Sequence, residues 1–144
     1  EQPFPVEITE IEPLEKIEIL IGVEAVALKT PHTEESLAIH IRDGKTTLVF
    51  SADTGPSLPL AAFANQADLL ILDCSFVKNK PVEKHLELAE AIYLIRKSKP
   101  KRAMLTHFYP EWDEVNFSEE LEKFEPMCEV IEAVDGLRVG LKDE

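Results

Sequence analysis

Two short apolar segments of the sequence each lead directly to a residue that can bind a metal ion. Residues 47–50 (TLVF) lead to Asp53, and residues 103–106 (AMLT) lead to His107. In open α/β folds, ligands bind just beyond the carboxyl ends of the strands, so this carboxylate and this imidazole could share a metal ion. A catalytic site needs at least three protein ligands. The two residues therefore predict a metal site that is incomplete.

Both residues, and His85 between them, also have simpler interpretations. Asp53 precedes Thr54-Gly55, a sequence equally typical of a turn. A histidine at a strand end, such as His107, is more often a hydrogen-bonded structural residue. The pattern places His85 in the first turn of a helix, where it could contact an anionic substrate or donate a proton, or could simply be solvated among charged neighbours.

Two further residues are weaker candidates. His32 follows Pro31 in a loop, where it could support a metal ligand indirectly or lie on the surface. Asp73 ends a buried strand at the same sheet edge as Asp53, and we expect a structural or supporting carboxylate. We assign no function to His40, which alternates with other residues inside a strand.

The length of 144 residues fits one domain, and the 44% hydrophobic content allows a real core. A net charge of −13 counts against nucleic acid or an anionic membrane as a partner. No apolar run reaches the roughly 18 residues of a membrane span. Cys74 and Cys128 lie in apolar, strand-like contexts and predict buried free thiols, which fits a cytoplasmic location.

The periodicity predicts an α/β fold in which an antiparallel meander precedes alternating helices and strands. The predicted meander comprises strands at 6–11, 17–28 (interrupted at Gly22), 36–42 and 46–50, the last two joined by an Asp43-Gly44 turn. The later elements are helices at 57–67, 82–97 and 118–124, and strands at 68–73, 102–106, 129–133 and 137–141.

Five segments, in their order, resemble the metallo-β-lactamase fold hydrolases related to ribonuclease Z. They are PHTEES (31–36), LVFSADTG (48–55), ADLLILDCSF (67–76), EKHLELAEA (83–91) and MLTHFYPEW (104–112). The resemblance implies an αβ/βα sandwich and a dinuclear metal centre, usually zinc, that activates a bridging water. It implies that Asp53 bridges the metals, that His107 is the last histidine ligand and that His85 assists catalysis or holds the scissile phosphate.

The chain departs from this family in ways that limit the function. The signature His-x-His-x-Asp-His is absent, and we also find no counterpart of the next ligand histidine. Residues 1–144 therefore resemble one segment, the C-terminal half of such a domain. Leu86-Glu87 and Phe108-Tyr109-Pro110 replace the residues that follow the two histidines in ribonuclease Z.

We therefore expect a metal-dependent hydrolase, acting on a phosphoester or phosphodiester, that is inactive as this segment alone. The alternatives are a non-catalytic binding or assembly module of the same fold and a tRNA 3′-end endonuclease. A lone half should also expose an apolar sheet face, including Ile19, Ile39, Val49 and Ile71, which either the missing half or a second copy of the chain would cover.

Overall fold

Alternating apolar residues build a seven-stranded sheet whose strands lie side by side in chain order. The computed structural model describes residues 4–141. Strands β1 to β4 pair antiparallel and β4 to β7 pair parallel, which confirms the predicted meander followed by alternating helices and strands. The strands are β1 Lys16–Leu20, β2 Val23–Lys29, β3 Leu37–Asp43, β4 Thr46–Phe50, β5 Leu69–Asp73, β6 Arg102–Thr106 and β7 Glu129–Glu132.

Helices fill the crossovers between the parallel strands. They are α1 Leu58–Phe63, α2 Leu88–Ser98 and α3 Phe117–Glu122, with a 3₁₀ turn at Pro110–Glu114. Ser57 caps α1 as predicted, because its hydroxyl accepts a hydrogen bond from the Leu60 N–H at 3.1 Å. The helix ends earlier than predicted, since Gln66 is left-handed (φ 57°) and its N–H bonds to the Ser98 carbonyl instead.

The core lies between one face of the sheet and the helices. Val49, Leu70 and Ala103 are cross-strand neighbours on this face and are buried against α1 and α2. Ile92 of α2 packs on them at 1% exposure, and burying such a side chain contributes about 1.5–3 kcal/mol. The prediction that Val49 belongs to an exposed face is wrong, because the pleat turns it toward the helices.

Within residues 4–141, the helices lie on one face of the sheet and leave the opposite face without a helix. Ile39, Phe50 and Ile71 are paired across β3, β4 and β5 on this side, and Phe50 is 41% exposed. Met104 and Ile131 continue the row across β6 and β7. Ile19 is 44% exposed. The structure thus has the apolar second face expected from Ile39 and Ile71.

The start of the second helix differs most from the sequence prediction. Residues 82–87 form a loop, and α2 begins at Leu88 with Glu87 as its N-cap. Phe76 holds this loop, because its N–H bonds to the Leu86 carbonyl at 3.1 Å and its carbonyl accepts the Leu88 N–H at 3.0 Å. Because the Leu86 carbonyl and the Leu88 N–H are bonded to Phe76, they do not form the hydrogen bonds of a helix that begins before Leu88.

Two predicted strands are wrong, and one helix cap is shifted. Residues 6–11 are irregular, with Ile8 86% exposed, and residues 137–141 form no strand. The carbonyl of Gly140 instead accepts a hydrogen bond from the Arg102 guanidinium. Asn116, rather than Ser118, caps α3 through the Glu119 N–H at 3.1 Å.

Candidate metal centre and catalytic site

The carboxyl ends of three parallel strands meet at one edge of the sheet, as the sequence predicts. Asp53 follows β4, Asp73 ends β5 and His107 follows β6. Ala52 (φ 50°) and His107 (φ 67°) have left-handed backbones, which only a few per cent of non-glycine residues adopt. These turns sharply redirect the chain at the strand ends. Such backbone strain persists where the surrounding structure fixes it, commonly at functional sites.

Asp53 lies between two histidines. One of its carboxylate oxygens is 3.6 Å from Nε2 of His107, and the other is 3.7 Å from Nε2 of His32. The Asp53 side chain is 44% exposed and that of His107 is 40% exposed, so both remain accessible. The Thr30 hydroxyl donates to the Asp53 carbonyl at 3.0 Å and fixes the backbone beside the carboxylate.

His32 is part of the site, which the sequence did not establish. Its Nδ1 lies 3.0 Å from the Lys84 carbonyl. A carbonyl oxygen can only accept, so Nδ1 carries the proton and a neutral His32 has its lone pair on Nε2, facing Asp53. The chain thus brings His32 together with the two predicted ligands, Asp53 and His107.

His85 is a buried residue in the loop before α2, not a solvated residue in a helical first turn. Its Nδ1 lies 2.8 Å from a carboxylate oxygen of Asp73, and its side chain is 8% exposed. Donation from Nδ1 to the carboxylate leaves Nε2 as the free nitrogen of the ring. The ring lies 4.8 Å from that of His32 and 5.1 Å from that of His107, measured between centroids.

Asp73 positions His85 and the loops around it through several hydrogen bonds. Besides His85, its carboxylate accepts the Thr54 N–H at 3.2 Å, both the N–H and the hydroxyl of Ser75, and the Leu86 N–H at 3.4 Å. The side chain is fully buried and its oxygens are occupied by these donors. Asp73 is therefore a supporting carboxylate, which is one of the two roles predicted for it.

The spacing of these atoms suits a metal ion. One ligand atom from each of His32, Asp53 and His85 lies within 4.8 Å of the other two, and the same holds for Asp73, His85 and His107. Two ligand atoms bound to one tetrahedral zinc ion at about 2.0–2.2 Å lie roughly 3.3–3.5 Å apart. The Asp53 to His32 and Asp53 to His107 distances of 3.7 and 3.6 Å are close to that value.

Two further residues shape the site. Gly55 is packed between the loops that carry His32 and His85, and its N–H bonds to the Pro31 carbonyl at 3.0 Å. A Cβ atom at this position would overlap the Glu83 carbonyl. Cys74 follows Asp73 directly, but burial, with the nearby Asp73 charge, raises the pKa of its thiol well above the usual value, so it is not a ready nucleophile.

An aromatic border adjoins the histidines. Tyr109 lies 5.6 Å from His85, 5.5 Å from His107 and 4.7 Å from Phe76, between ring centroids. Tyr109 was not predicted as a site residue, and its one signal in the sequence is its place two residues after His107. A cavity of about 420 Å³ adjoins the site and is lined by Phe50, Ala52, Asp53, Ile71, Asp73, Thr106 and His107.

Histidines and carboxylates that meet at one edge of an α/β sheet form a set of ligands that could hold a metal ion. The sequence model of the beta-lactamase superfamily domain matches residues 1–108. The chain therefore belongs to the β-lactamase superfamily of metal-dependent hydrolases.

Curated relatives agree with this family. Ribonuclease Z of Alkaliphilus oremlandii is 35% identical over 77 residues, which is 50% of this chain and 24% of that protein. The probable metallo-hydrolase YhfI of Bacillus subtilis is 32% identical over 82 residues, or 56% of this chain and 34% of that protein. The matched regions thus span a quarter to a third of these relatives.

Solved structures show the same metallo-β-lactamase fold. The crystal structure of YhfI from Bacillus subtilis superposes with a TM-score of 0.76 and 25% identity, covering 88% of this chain and 53% of that one. Zinc-bound PqqB from Methylobacterium extorquens gives a TM-score of 0.70 at 17% identity, covering 88% and 50%. The chain spans about half the length of these two structures.

None of the helices within residues 4–141 has the length and apolar character of a membrane-spanning segment.

Proposed function

We propose that this protein is a phosphoester or phosphodiester hydrolase whose active site contains two divalent metal ions, with zinc as the metal. The observation that carries the proposal is the group of three histidines around Asp53. His32 and His85 each direct Nε2 to the site because Nδ1 is bonded elsewhere. Nitrogen and carboxylate ligands suit zinc, and the relative PqqB was crystallised with zinc bound.

His32 and Asp53 would hold one metal ion, and Asp53 and His107 would hold the other. Their exposed atoms face one another, and the two histidine nitrogens lie on different oxygens of the same carboxylate, as a bridging role for Asp53 requires. When bound, the metal lowers the pKa of a coordinated water and so supplies a nucleophile near neutral pH. Each metal needs further ligands, and we place these in the remaining length of the full-size relatives.

His85 would act on the substrate rather than on the metal. Its Nε2 faces the site, while the buried Asp73 carboxylate orients the ring through Nδ1. A histidine held in this way can donate a proton to the leaving oxygen. The ribonuclease Z relative, whose name denotes cleavage of a phosphodiester, favours that substrate class over an ester or a lactam.

The uncovered sheet face is where we place the rest of the domain. Ile39, Phe50 and Ile71 form an apolar row on this face, and the 420 Å³ cavity beside Asp53 is lined by two of them. We propose that another part of the polypeptide, or a second copy of the chain, packs here. Sedimentation of these 144 residues at micromolar concentration tests the idea, and a stable monomer of 16.2 kDa would contradict it.

The activity is tested with the longest natural form of the protein after loading with zinc. We expect hydrolysis of bis(p-nitrophenyl) phosphate to exceed that of p-nitrophenyl acetate and of a chromogenic cephalosporin. His85→Ala should reduce phosphodiester turnover by about 10²–10⁴-fold with zinc retained. His40→Ala is the matched control, because His40 lies on β3 against Phe63 at 5.7 Å. Equal activity of His85→Ala and His40→Ala would contradict the assignment.

A tRNA 3′-end nuclease is the second candidate, and its support is the match to ribonuclease Z. The net charge of −13 weighs against it, since binding to RNA is driven by Lys and Arg. A gel-shift titration with tRNA distinguishes the two, because the nuclease requires salt-sensitive binding. The two unpaired cysteines favour a cytoplasmic location for either function, which cell fractionation would test.

A further inference from the structure

Tyr109 is a partly solvent-exposed aromatic residue at the border of the site. It is 36% exposed, whereas Phe76, the ring packed against it at 4.7 Å, is 7% exposed. The other neighbours of Tyr109 are His85 at 5.6 Å and His107 at 5.5 Å. The ring therefore adjoins both the histidine assigned to proton transfer and a histidine assigned to the metal.

The backbone around Tyr109 is fixed. Its N–H donates to the Ser75 carbonyl at 2.9 Å, and its carbonyl accepts the Trp112 N–H at 2.9 Å. Pro110 begins the 3₁₀ turn, and the preceding Phe108 is packed against Trp112 at 5.0 Å. Phe108 thus anchors the segment in the core, while Tyr109 is held in place with part of its ring open to solvent.

We propose that Tyr109 is a specificity-determining residue whose ring stacks against a planar ring carried by the substrate next to the scissile bond. This inference rests on the proposed hydrolase function and names the kind of substrate, a phosphoester bearing an aromatic or nucleobase-like group. Offset and edge-to-face aromatic pairs are favourable beyond the area that they bury. A rigid ring also loses little conformational entropy when a ligand packs on it.

The alternative role for Tyr109 is to position His107, with no contact to the substrate. A binding experiment separates the two roles without requiring turnover. The probes are phenylphosphonate and methylphosphonate, which share the anionic group and differ in the ring. Their dissociation constants are measured by calorimetry on the zinc-loaded, longest natural form of the protein, and the zinc content of each variant is determined alongside.

Four proteins are compared: wild type, Tyr109→Leu, Tyr109→Phe and Tyr93→Leu. Tyr93 is the matched control, because it is 48% exposed on α2 and its ring lies beneath Lys97. We expect wild type to bind phenylphosphonate roughly 3- to 10-fold more tightly than methylphosphonate. Tyr109→Phe and Tyr93→Leu should keep that preference, and Tyr109→Leu should lose it at unchanged zinc content.

The outcomes distinguish a failure of this inference from a failure of the proposed hydrolase function on which it rests. Equal losses of affinity for both phosphonates in Tyr109→Leu would show a positioning role and overturn the inference. Binding of both by wild type without a ring preference would overturn the inference alone. Binding of neither to the zinc-loaded wild type would contradict the phosphoester function and the inference together.

Discussion

Replacing Gly55 with alanine should disturb the site without removing any functional group. Gly55 is the point where the loops that carry His32 and His85 are packed together. A Cβ atom here would lie 3.2 Å from the Pro31 carbonyl and nearer than 3.0 Å to the Glu83 carbonyl, whereas ordinary contact begins at 3.4 Å. Both obstacles are backbone atoms, so no side chain can rotate away.

The size of the effect follows from that overlap. The segment at Glu83 must retreat by roughly 1 Å to reach ordinary van der Waals contact. His85 lies two residues further along, and the Lys84 carbonyl between them orients His32. Misplacing catalytic groups by about 1 Å costs on the order of 10²-fold in rate. Overpacking should also lower the free energy of unfolding by about 1–3 kcal/mol.

The assay compares Gly55→Ala with Gly136→Ala in the zinc-loaded, longest natural form. Gly136 (φ 82°) has nothing within 4 Å of its Cβ position, so alanine there strains the backbone by about 1 kcal/mol without displacing a neighbour. We expect kcat/KM for bis(p-nitrophenyl) phosphate to fall about 100-fold in Gly55→Ala and to be unchanged in Gly136→Ala. Activity of Gly55→Ala within threefold of wild type would refute the packing argument.

Two other side chains give predictions about stability and loop position. Asp68 accepts hydrogen bonds from Lys101 and from Thr47, and the bond from Lys101 holds the pKa of its carboxyl below the usual value. A lowered carboxyl pKa stabilises the fold above the unfolded-state value of about 3.9, and that stability is lost as the pH falls through the folded-state pKa. Asp68→Asn should therefore lower the free energy of unfolding by about 1–3 kcal/mol at pH 7. Urea denaturation should show this difference between wild type and Asp68→Asn shrinking toward pH 2. A difference that stays constant with pH would count against the reasoning. Lys80 pairs with Glu90 at 2.9 Å and donates to the His85 carbonyl at 3.1 Å. Lys80→Met should therefore reduce turnover roughly 10-fold, whereas the control Lys78→Met should not. Equal kinetics of the two variants would show that the Lys80 contact does not position His85.

The sequence predicted the sheet better than the loops, for a physical reason. Period-two alternation and the Asp43-Gly44 turn define β3 and β4 locally, and Leu69–Asp73 is apolar along its whole length. Residues 6–11 alternate equally well and form no strand, because a strand also requires a partner. That requirement is not visible in a local pattern.

The site was predicted where residues follow strands and missed where loops determine their position. Asp53 and His107 could be placed together because parallel strands end at a common edge. His32 could not, since its position depends on the Lys84 carbonyl, which is distant in the sequence. His85 was selected, but the helical periodicity after it extended the predicted helix too far and concealed its burial beside Asp73.

The central claim is that His32, Asp53 and His107 are ligands of the two catalytic metals. The most direct measurement is the zinc content of the longest natural form after purification and dialysis against a weak chelator, for wild type, Asp53→Ala, His32→Ala and Asp135→Ala. Asp135 is the control, because it is an exposed carboxylate in the turn after β7.

We expect wild type and Asp135→Ala to retain zinc and to hydrolyse bis(p-nitrophenyl) phosphate. Asp53→Ala should lose both zinc and turnover, and His32→Ala should lose most of its zinc, because each variant removes one of the three ligands that meet at the sheet edge. Asp53→Ala with the zinc content and activity of wild type would contradict the account.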